Sequence, residues 1–123
     1  MSKDCRLMII SGGVRNEDSR KKGLQIWKFF FEIGATNIIE IPKGAKFLTA
    51  QTQKDNGVIW ALVDPTKEKE IRKILTIETG APINYAPEQL IYIATFQLMD
   101  GAFIVHVFEV IDVPEEIEKE EGE

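Results

Sequence analysis

Cysteine and histidine are nearly absent from this sequence, which has one of each among 123 residues. The lone Cys5 excludes an intramolecular disulfide and a cysteine-rich metal site, and such usage is typical of reducing compartments. Long apolar runs are missing too, since the run at residues 7–11 is far shorter than a signal-peptide core or a membrane span. We therefore expect an intracellular protein with no membrane segment.

Charge is modest in total but unevenly spread. The net charge is −5, with six Lys or Arg against three acids in residues 1–25, eight against nine in residues 26–108, and one against eight in residues 109–123. The hydrophobic fraction of 44% is that of a globular protein. We therefore predict a basic N-terminal arm over residues 1–25, a single β domain over 26–110 and an acidic C-terminal tail over 111–123.

Short runs rich in branched and aromatic residues, separated by turn residues, fill the central region. They lie at residues 26–33, 37–41, 46–53, 58–63, 70–78, 90–98 and 102–110. Asn56-Gly57 is a strong hairpin signal, because a type I′ turn needs positive φ at both central positions. The spacing predicts an all-β, mainly antiparallel fold: a small β-sandwich or partly open barrel of about seven strands. The arm adds a candidate strand at 6–11 or a short helix at 16–22.

The first predicted strand is apolar on both sides. Trp27, Phe29 and Phe31 alternate onto one face, which we expect to face the core, while Phe30 lies on the other. A monomer would bury only one of these faces. We therefore expect a second buried surface on this strand, which a homo-oligomer would supply.

No set of residues in the sequence has the spacing of a catalytic site. His106 lies inside a predicted strand, and a catalytic or ligand role would need a second nucleophile, base or metal ligand beside it. Cys5 would need an activating base or a cationic neighbour to react. We therefore predict a non-enzymatic protein without metal or cofactor. A small nucleotide hydrolase using His106 with Glu109 or Asp64 is the least favoured alternative.

Two further patterns are too weak to define a nucleic-acid or nucleotide site. The arm contains a basic cluster, Arg15, Arg20, Lys21 and Lys22, but acids interrupt it in a protein that is acidic overall. Residues 11–13 (Ser-Gly-Gly) follow an apolar run without the spacing of a phosphate-binding loop. The acidic tail either keeps the protein soluble or docks on a basic partner surface. Nucleic acid is therefore disfavoured as a partner.

Four blocks in order carry a family resemblance. They are Ile-Glu-Ile-Pro-Lys-Gly-Ala-Lys-Phe-Leu at residues 39–48, Ile-Trp-Ala-Leu-Val-Asp at 59–64, Tyr-Ile-Ala-Thr-Phe-Gln at 92–97 and His-Val-Phe-Glu at 106–109. Over residues 26–109 the chain resembles a family of small, functionally uncharacterised proteins encoded largely by tailed bacteriophages and prophages. Ala81 departs from that family, whose members often have histidine at this position. A site that pairs such a histidine with His106 is therefore not expected here.

The resemblance implies an accessory phage protein that works in the host bacterial cytoplasm. Small phage proteins without catalytic residues often bind or sequester a host factor and so counteract host defence. The factor would be either a host protein or a nucleotide-type signalling molecule. A minor virion or assembly protein is the alternative function.

A nucleotide-type ligand would need cations facing a pocket and aromatic rings for stacking. Residues of these types lie in the predicted β domain, and the lone histidine joins them as a ring with two polar nitrogens. The candidate ligand-binding residues are Lys43, Lys46, Trp60, Arg72, Lys73, Tyr92 and His106.

Overall fold

The structure is a computed structural model that describes residues 7–10 and 23–112. Its eight strands are β1 (Leu7–Ile10), β2 (Gln25–Phe31), β3 (Thr36–Pro42), β4 (Lys46–Gln53), β5 (Asn56–Val63), β6 (Lys69–Glu78), β7 (Leu90–Leu98) and β8 (Phe103–Val110). A short 3-10 turn, Pro87–Gln89, precedes β7. The described residues contain no α-helix, and none of their helical turns is long and apolar enough to cross a membrane. The all-β prediction is confirmed.

The strands form two sheets that pack face to face. One sheet has five strands in the order β1-β3-β6-β8-β7, and the other has three in the order β2-β5-β4. All pairings are antiparallel except that of β1 with β3. Strand β4 lies alongside β7. No strand pairing joins the two sheets among the described residues, so the fold is a sandwich and not a closed barrel.

The core lies between the sheets and is dominated by alternating side chains. Trp27, Phe29 and Phe31 of β2 are all buried there, as their spacing predicts, and Phe29 is 1% exposed. Burying an aromatic side chain of this size contributes about 1.5–3 kcal/mol. Phe30 points away from the core and is 46% exposed. The two-sided apolar character of β2 is therefore a real feature of the fold.

The first hairpin forms where expected, but its turn does not lie at Asn56-Gly57. The turn residues are Lys54 and Asp55, which have φ of 51° and 69°, and both Asn56 and Gly57 belong to β5. Gly57 is paired with Phe31, and a Cβ at Gly57 would lie 2.6 Å from the Phe31 ring. The glycine is therefore needed for close packing of this ring rather than for the turn.

Bulges in two strands change which side chains share a face. Strand β4 has an irregularity between Phe47 and Thr49, and β7 has one between Tyr92 and Ala94. Strict alternation would place Tyr92 on the same face as Ala94 and the buried Phe96. Tyr92 instead lies on the side of the sheet away from the core, at 60% exposure.

The connection between β6 and β7 crosses the outer face of the five-stranded sheet, the face turned away from the three-stranded one. Strand β8 lies between these strands and is antiparallel to both, so β6 and β7 run parallel. Lys73 of β6 and Leu90, the first residue of β7, both pair with Val110 of β8, so they lie at the same level in the sheet. Residues 79–89 must therefore return along the sheet before β7 begins. We call them the strap.

Strand β1 shows that part of the N-terminal arm joins the five-stranded sheet. It pairs with β3 from Leu7↔Thr36 to Ile10↔Ile39. Cys5, residues 11–13, the basic cluster, the candidate helix at 16–22 and the tail beyond Asp112 lie outside the described residues.

Candidate functional site

A cleft of about 870 Å³ opens between the strap and the start of β3. One wall is the turn that precedes β3, the floor is the end of β6, and the other wall is the strap. We call it the strap cleft. Its lining residues are 33–36, 75–78, 81–85 and Val105.

The wall made by the turn before β3 is held by two buried polar side chains. Asn37, which is 0% exposed, accepts a hydrogen bond from the Glu32 N–H at 3.0 Å and donates to the carbonyls of Glu32 and Ala35. Thr76 accepts from the Gly34 N–H at 2.7 Å and donates to the Ala35 carbonyl at 3.2 Å. Because these bonds are shielded from water, this wall is fixed.

The part of the strap that lines the cleft, residues 81–85, is held by fewer and more exposed contacts than the turn wall. Gly80 has a φ of 91°, which suits glycine, and the Ala81 N–H donates to the Glu78 carbonyl. Further along, the Lys73 Nζ lies 5.7 Å from the centroid of the Tyr85 ring. Residues 79–84 are exposed throughout. The strap wall can therefore adjust to a ligand at less cost than the turn wall.

A chain of hydrogen bonds ties the root of the strap to β8 and β7. The His106 Nε2 lies 2.7 Å from Thr79 Oγ1, and its Nδ1 lies 3.1 Å from Thr95 Oγ1. Thr95 Oγ1 in turn lies 2.8 Å from the Tyr92 hydroxyl. Hydroxyl groups both donate and accept, so the chain is satisfied with either tautomer of His106. It contains no carboxylate to orient the imidazole as an acid–base pair.

Arg72 and Glu109 form an ion pair between the sheets, on the opposite face from His106. The Arg72 Nε and Nη2 donate to the two Glu109 oxygens at 2.5 and 3.0 Å, and Nη1 donates to the Ala45 carbonyl at 2.8 Å. The hydrogen bond with the Glu109 carboxylate raises the pKa of Arg72 above its usual value. The guanidinium also lies 4.8 Å from the Phe47 ring centroid. Each nitrogen of Arg72 is therefore engaged within the protein.

The seven predicted ligand-binding residues occupy separate regions, and none of them lines the strap cleft. Lys73, Tyr92 and His106 lie on the outer face of the five-stranded sheet, and Arg72 lies on its inner face. Lys46 and Trp60 lie on the outer face of the three-stranded sheet. Lys43 is in the turn after β3, 3.6 Å from the Glu68 carboxylate. The structure therefore does not gather these cations and rings into one pocket.

The two carboxylates considered beside His106 do not meet it either. Glu109 is on the inner face of β8, whereas His106 is on the outer face. Asp64 accepts hydrogen bonds from the hydroxyl and N–H of Thr66, which lower the pKa of its carboxyl below 3.8. Within the described residues, no three His, Cys, Asp or Glu side chains are grouped as metal ligands.

The residues that form the strap cleft were missed because they are ordinary in type. Leu75, Ile77 and Ile83 are aliphatic, and Tyr85 and Glu78 stand in no recognisable motif. A signal was present in the length of the 79–89 connection, which is longer than a hairpin needs and so indicates a crossover. Nothing in the sequence shows where that crossover lies.

The chain belongs to a family defined as a domain of unknown function, DUF7352, whose model matches residues 23–118. The match covers every strand from β2 to β8, and thus the whole strap cleft. No curated protein sequence and no solved structure matches the chain.

Proposed function

We propose that this protein is a non-enzymatic binding protein that holds a small ligand in the strap cleft. The observation that carries the proposal is the cleft itself, with one wall fixed by buried hydrogen bonds and the other adjustable. Its volume of about 870 Å³ is within the range typical of small-molecule sites. A fixed wall gives specificity, and an adjustable strap allows entry and closure.

We propose that the ligand is a small host molecule, which the protein sequesters by binding it. The support is the ordered set of four sequence blocks, which resembles small proteins of tailed bacteriophages and prophages. Binding of such a molecule requires no catalytic group of the protein. We place its action in the bacterial cytoplasm, where it would counteract host defence by sequestration.

Native mass spectrometry tests the proposal directly. The purified full chain is incubated with an extract of infected bacteria and weighed intact. Ala81 lines the cleft and Ala102 lies in the β7–β8 turn outside it, and both are exposed. A tryptophan at either position adds the same bulk. We expect a bound small-molecule mass on the unchanged protein and on Ala102→Trp, but none on Ala81→Trp.

Four results would contradict this function. A protein that carries no small molecule, or that keeps it in Ala81→Trp, does not use the strap cleft. A bound host protein in place of a small molecule would mean that the partner is macromolecular. Finding the chain in purified virions by mass spectrometry would support the structural alternative, because a sequestering protein should be absent from particles.

We further propose that the protein is a homo-oligomer that pairs through the outer face of the three-stranded sheet. Several apolar side chains are exposed on or beside this face, and a chain on its own leaves them in water. They are Leu24 at 64%, Ile26 at 59%, Phe30 at 46% and Leu48 at 41%.

Sedimentation equilibrium on matched variants tests this interface. Phe30 of β2 and Ile91 of β7 are both 46% exposed, but only Phe30 lies on the proposed face. We expect Phe30→Asp to give a monomer and Ile91→Asp to keep the mass of the unchanged protein. A monomeric unchanged protein, or an oligomeric Phe30→Asp, would contradict the proposed interface.

A further inference from the structure

We infer that the strap cleft takes a small organic cation with an apolar body, such as an arylalkylamine. This inference rests on the proposed binding function and names the chemical class of its ligand. It depends on the charge and polarity of the cleft lining and on the positions of the nearest lysines and arginines.

The lining carries one formal charge, and it is negative. Of the residues at 33–36, 75–78, 81–85 and Val105, only Glu78 has an ionised side chain. Glu78 forms no ion pair with any residue in the described part of the chain. An ammonium group in the cleft would therefore gain a partner that the protein leaves open.

The nearest cation along the floor of the cleft is too far away to neutralise Glu78. Lys73 lies five positions earlier in β6, which is roughly 16 Å along a strand. Its ammonium group lies against the Tyr85 ring, 5.7 Å from the centroid. At that separation in water, the interaction between Lys73 and Glu78 is largely screened.

The rest of the lining suits an apolar body. Ile33, Leu75, Ile77 and Ile83 supply aliphatic surface, and Tyr85 adds an aromatic ring. Aromatic faces attract cations, as the position of Lys73 beside Tyr85 already shows. A ligand with an aromatic or aliphatic body and one ammonium group therefore matches both features of the cleft.

The same lining is unsuited to a phosphate-bearing ligand. The described residues that line the cleft include no cation to replace the water that an anion would lose, and an anion there would approach Glu78. The Lys73 ammonium lies outside this lining and is already held against the Tyr85 ring. Arg72 is engaged by Glu109 on the other side of the sheet, and Lys43 is paired with Glu68. The inference therefore reverses the ligand charge expected for a nucleotide-type molecule.

A pair of probes with opposite charge tests the inference. 2-Phenylethylamine and phenylacetate have a similar apolar body and differ in the sign of the charged group. Each is titrated into ¹⁵N-labelled full-length protein, and the amide shifts of Ile77, Glu78, Ala81 and Tyr85 are followed. We expect the amine to shift these amides with an affinity about three- to fivefold higher than that of phenylacetate, since a solvent-exposed ion pair gives a modest preference.

Matched variants assign the preference to one carboxylate. Glu78→Gln should remove the difference between the probes, and Glu88→Gln should keep it, because Glu88 is an exposed acid of the strap that does not line the cleft. Equal affinity for the two probes, or tighter binding of phenylacetate, would overturn the inference while leaving a binding cleft. If neither probe shifts the cleft amides, the inference also fails. The native mass spectrometry then decides separately whether the proposed function stands.

Discussion

The two faces of the five-stranded sheet hold their polar groups in different ways. On the inner face the groups are shielded and each is fully committed to the protein. These groups are Asn37, Arg72, Thr76 and Glu109. No buried side-chain nitrogen or oxygen lacks a partner in the described residues.

On the outer face the polar groups reach solvent and bond mainly through hydroxyls, which can exchange donor and acceptor roles. These groups are Thr79, Tyr92, Thr95 and His106. This difference indicates that the polar groups on the two faces of the sheet have different roles. Inner groups fix the backbone, including one wall of the cleft, and outer groups can be changed without loss of the fold. Substitutions on the two faces test this difference.

Removal of the buried carboxylate should have the largest effect. Glu109→Ala leaves Arg72 without its main partner between the sheets, so we expect a loss of about 3 kcal/mol in the free energy of unfolding. Urea denaturation measures this loss. The double variant Arg72→Met, Glu109→Leu should recover most of it, because it removes both charges. A double variant as unstable as Glu109→Ala would contradict the stated cause.

The stability lost in Glu109→Ala also has an expected pH dependence. Glu109 raises the pKa of Arg72, so the contribution of Arg72 to stability is complete below the ordinary pKa of an arginine and is lost only as pH rises through the higher folded value. The difference in stability between the unchanged protein and Glu109→Ala should therefore be the same at pH 7 and pH 10. A difference that shrinks by pH 10 would mean that another titrating group is involved.

Removal of the Asn37 side chain should have the next largest effect. Asn37→Ala leaves the backbone groups of Glu32 and Ala35 short of partners in a buried site, which costs about 2–3 kcal/mol. Asn84→Ala, on the exposed strap, is the control and should change stability by less than about 0.5 kcal/mol. Equal effects of the two changes would remove the distinction between the cleft walls.

A smaller effect is expected at Thr76. Thr76→Val keeps the shape of the side chain but removes the hydroxyl that bridges Gly34 and Ala35, at a cost of about 1–2 kcal/mol. Hydrogen exchange of the Gly34 amide should accelerate more than that of amides in β8. Unchanged exchange at Gly34 would show that this hydroxyl does not fix the turn.

The smallest effect is expected on the outer face. His106→Gln should change the free energy of unfolding by less than about 0.5 kcal/mol, because the site is open to solvent and its neighbours are hydroxyls that water can satisfy. Faster amide exchange at Thr79 and Gly80 would show that His106 steadies the root of the strap. A loss above about 2 kcal/mol in the free energy of unfolding would mean that His106 contributes to stability as the inner-face groups do. It would contradict the proposed difference between the two faces.

The positions of the strands could be predicted from the sequence because each strand depends on a local pattern of residues. The predicted run at 46–53 matches β4, and the run at 90–98 matches β7. The run at 58–63 is apolar at every position, which is typical of a central strand, and β5 lies in the middle of its sheet. The turn of the first hairpin was placed two residues too late, because Gly57 serves the packing of Phe31 instead.

The candidate site was not predictable in the same way, because it depends on contacts between distant parts of the chain. Arginine is a residue type that often binds anions. The Arg72 guanidinium, however, is already paired with the carboxylate of Glu109, 37 residues away in the sequence. Strict alternation along β7 would place Tyr92 on the inner face, where it does not lie, since a bulge has no reliable signature in a single sequence. The cleft itself exists only because the strap crosses the sheet, and no local pattern specifies that path.

The place of β8 also limits the order in which the domain can fold. It is the last described strand in the chain, yet it lies between β6 and the edge strand β7 in the five-stranded sheet. Until β8 is in place, β6 lacks a partner along one edge, β7 lacks a strand partner among the described residues, and the strap has no sheet surface beneath part of its path. Edges of this kind are open to pairing with other chains during synthesis. Completion of the five-stranded sheet therefore waits until β8 has been synthesised, and the unpaired edges of its neighbours stay exposed until then.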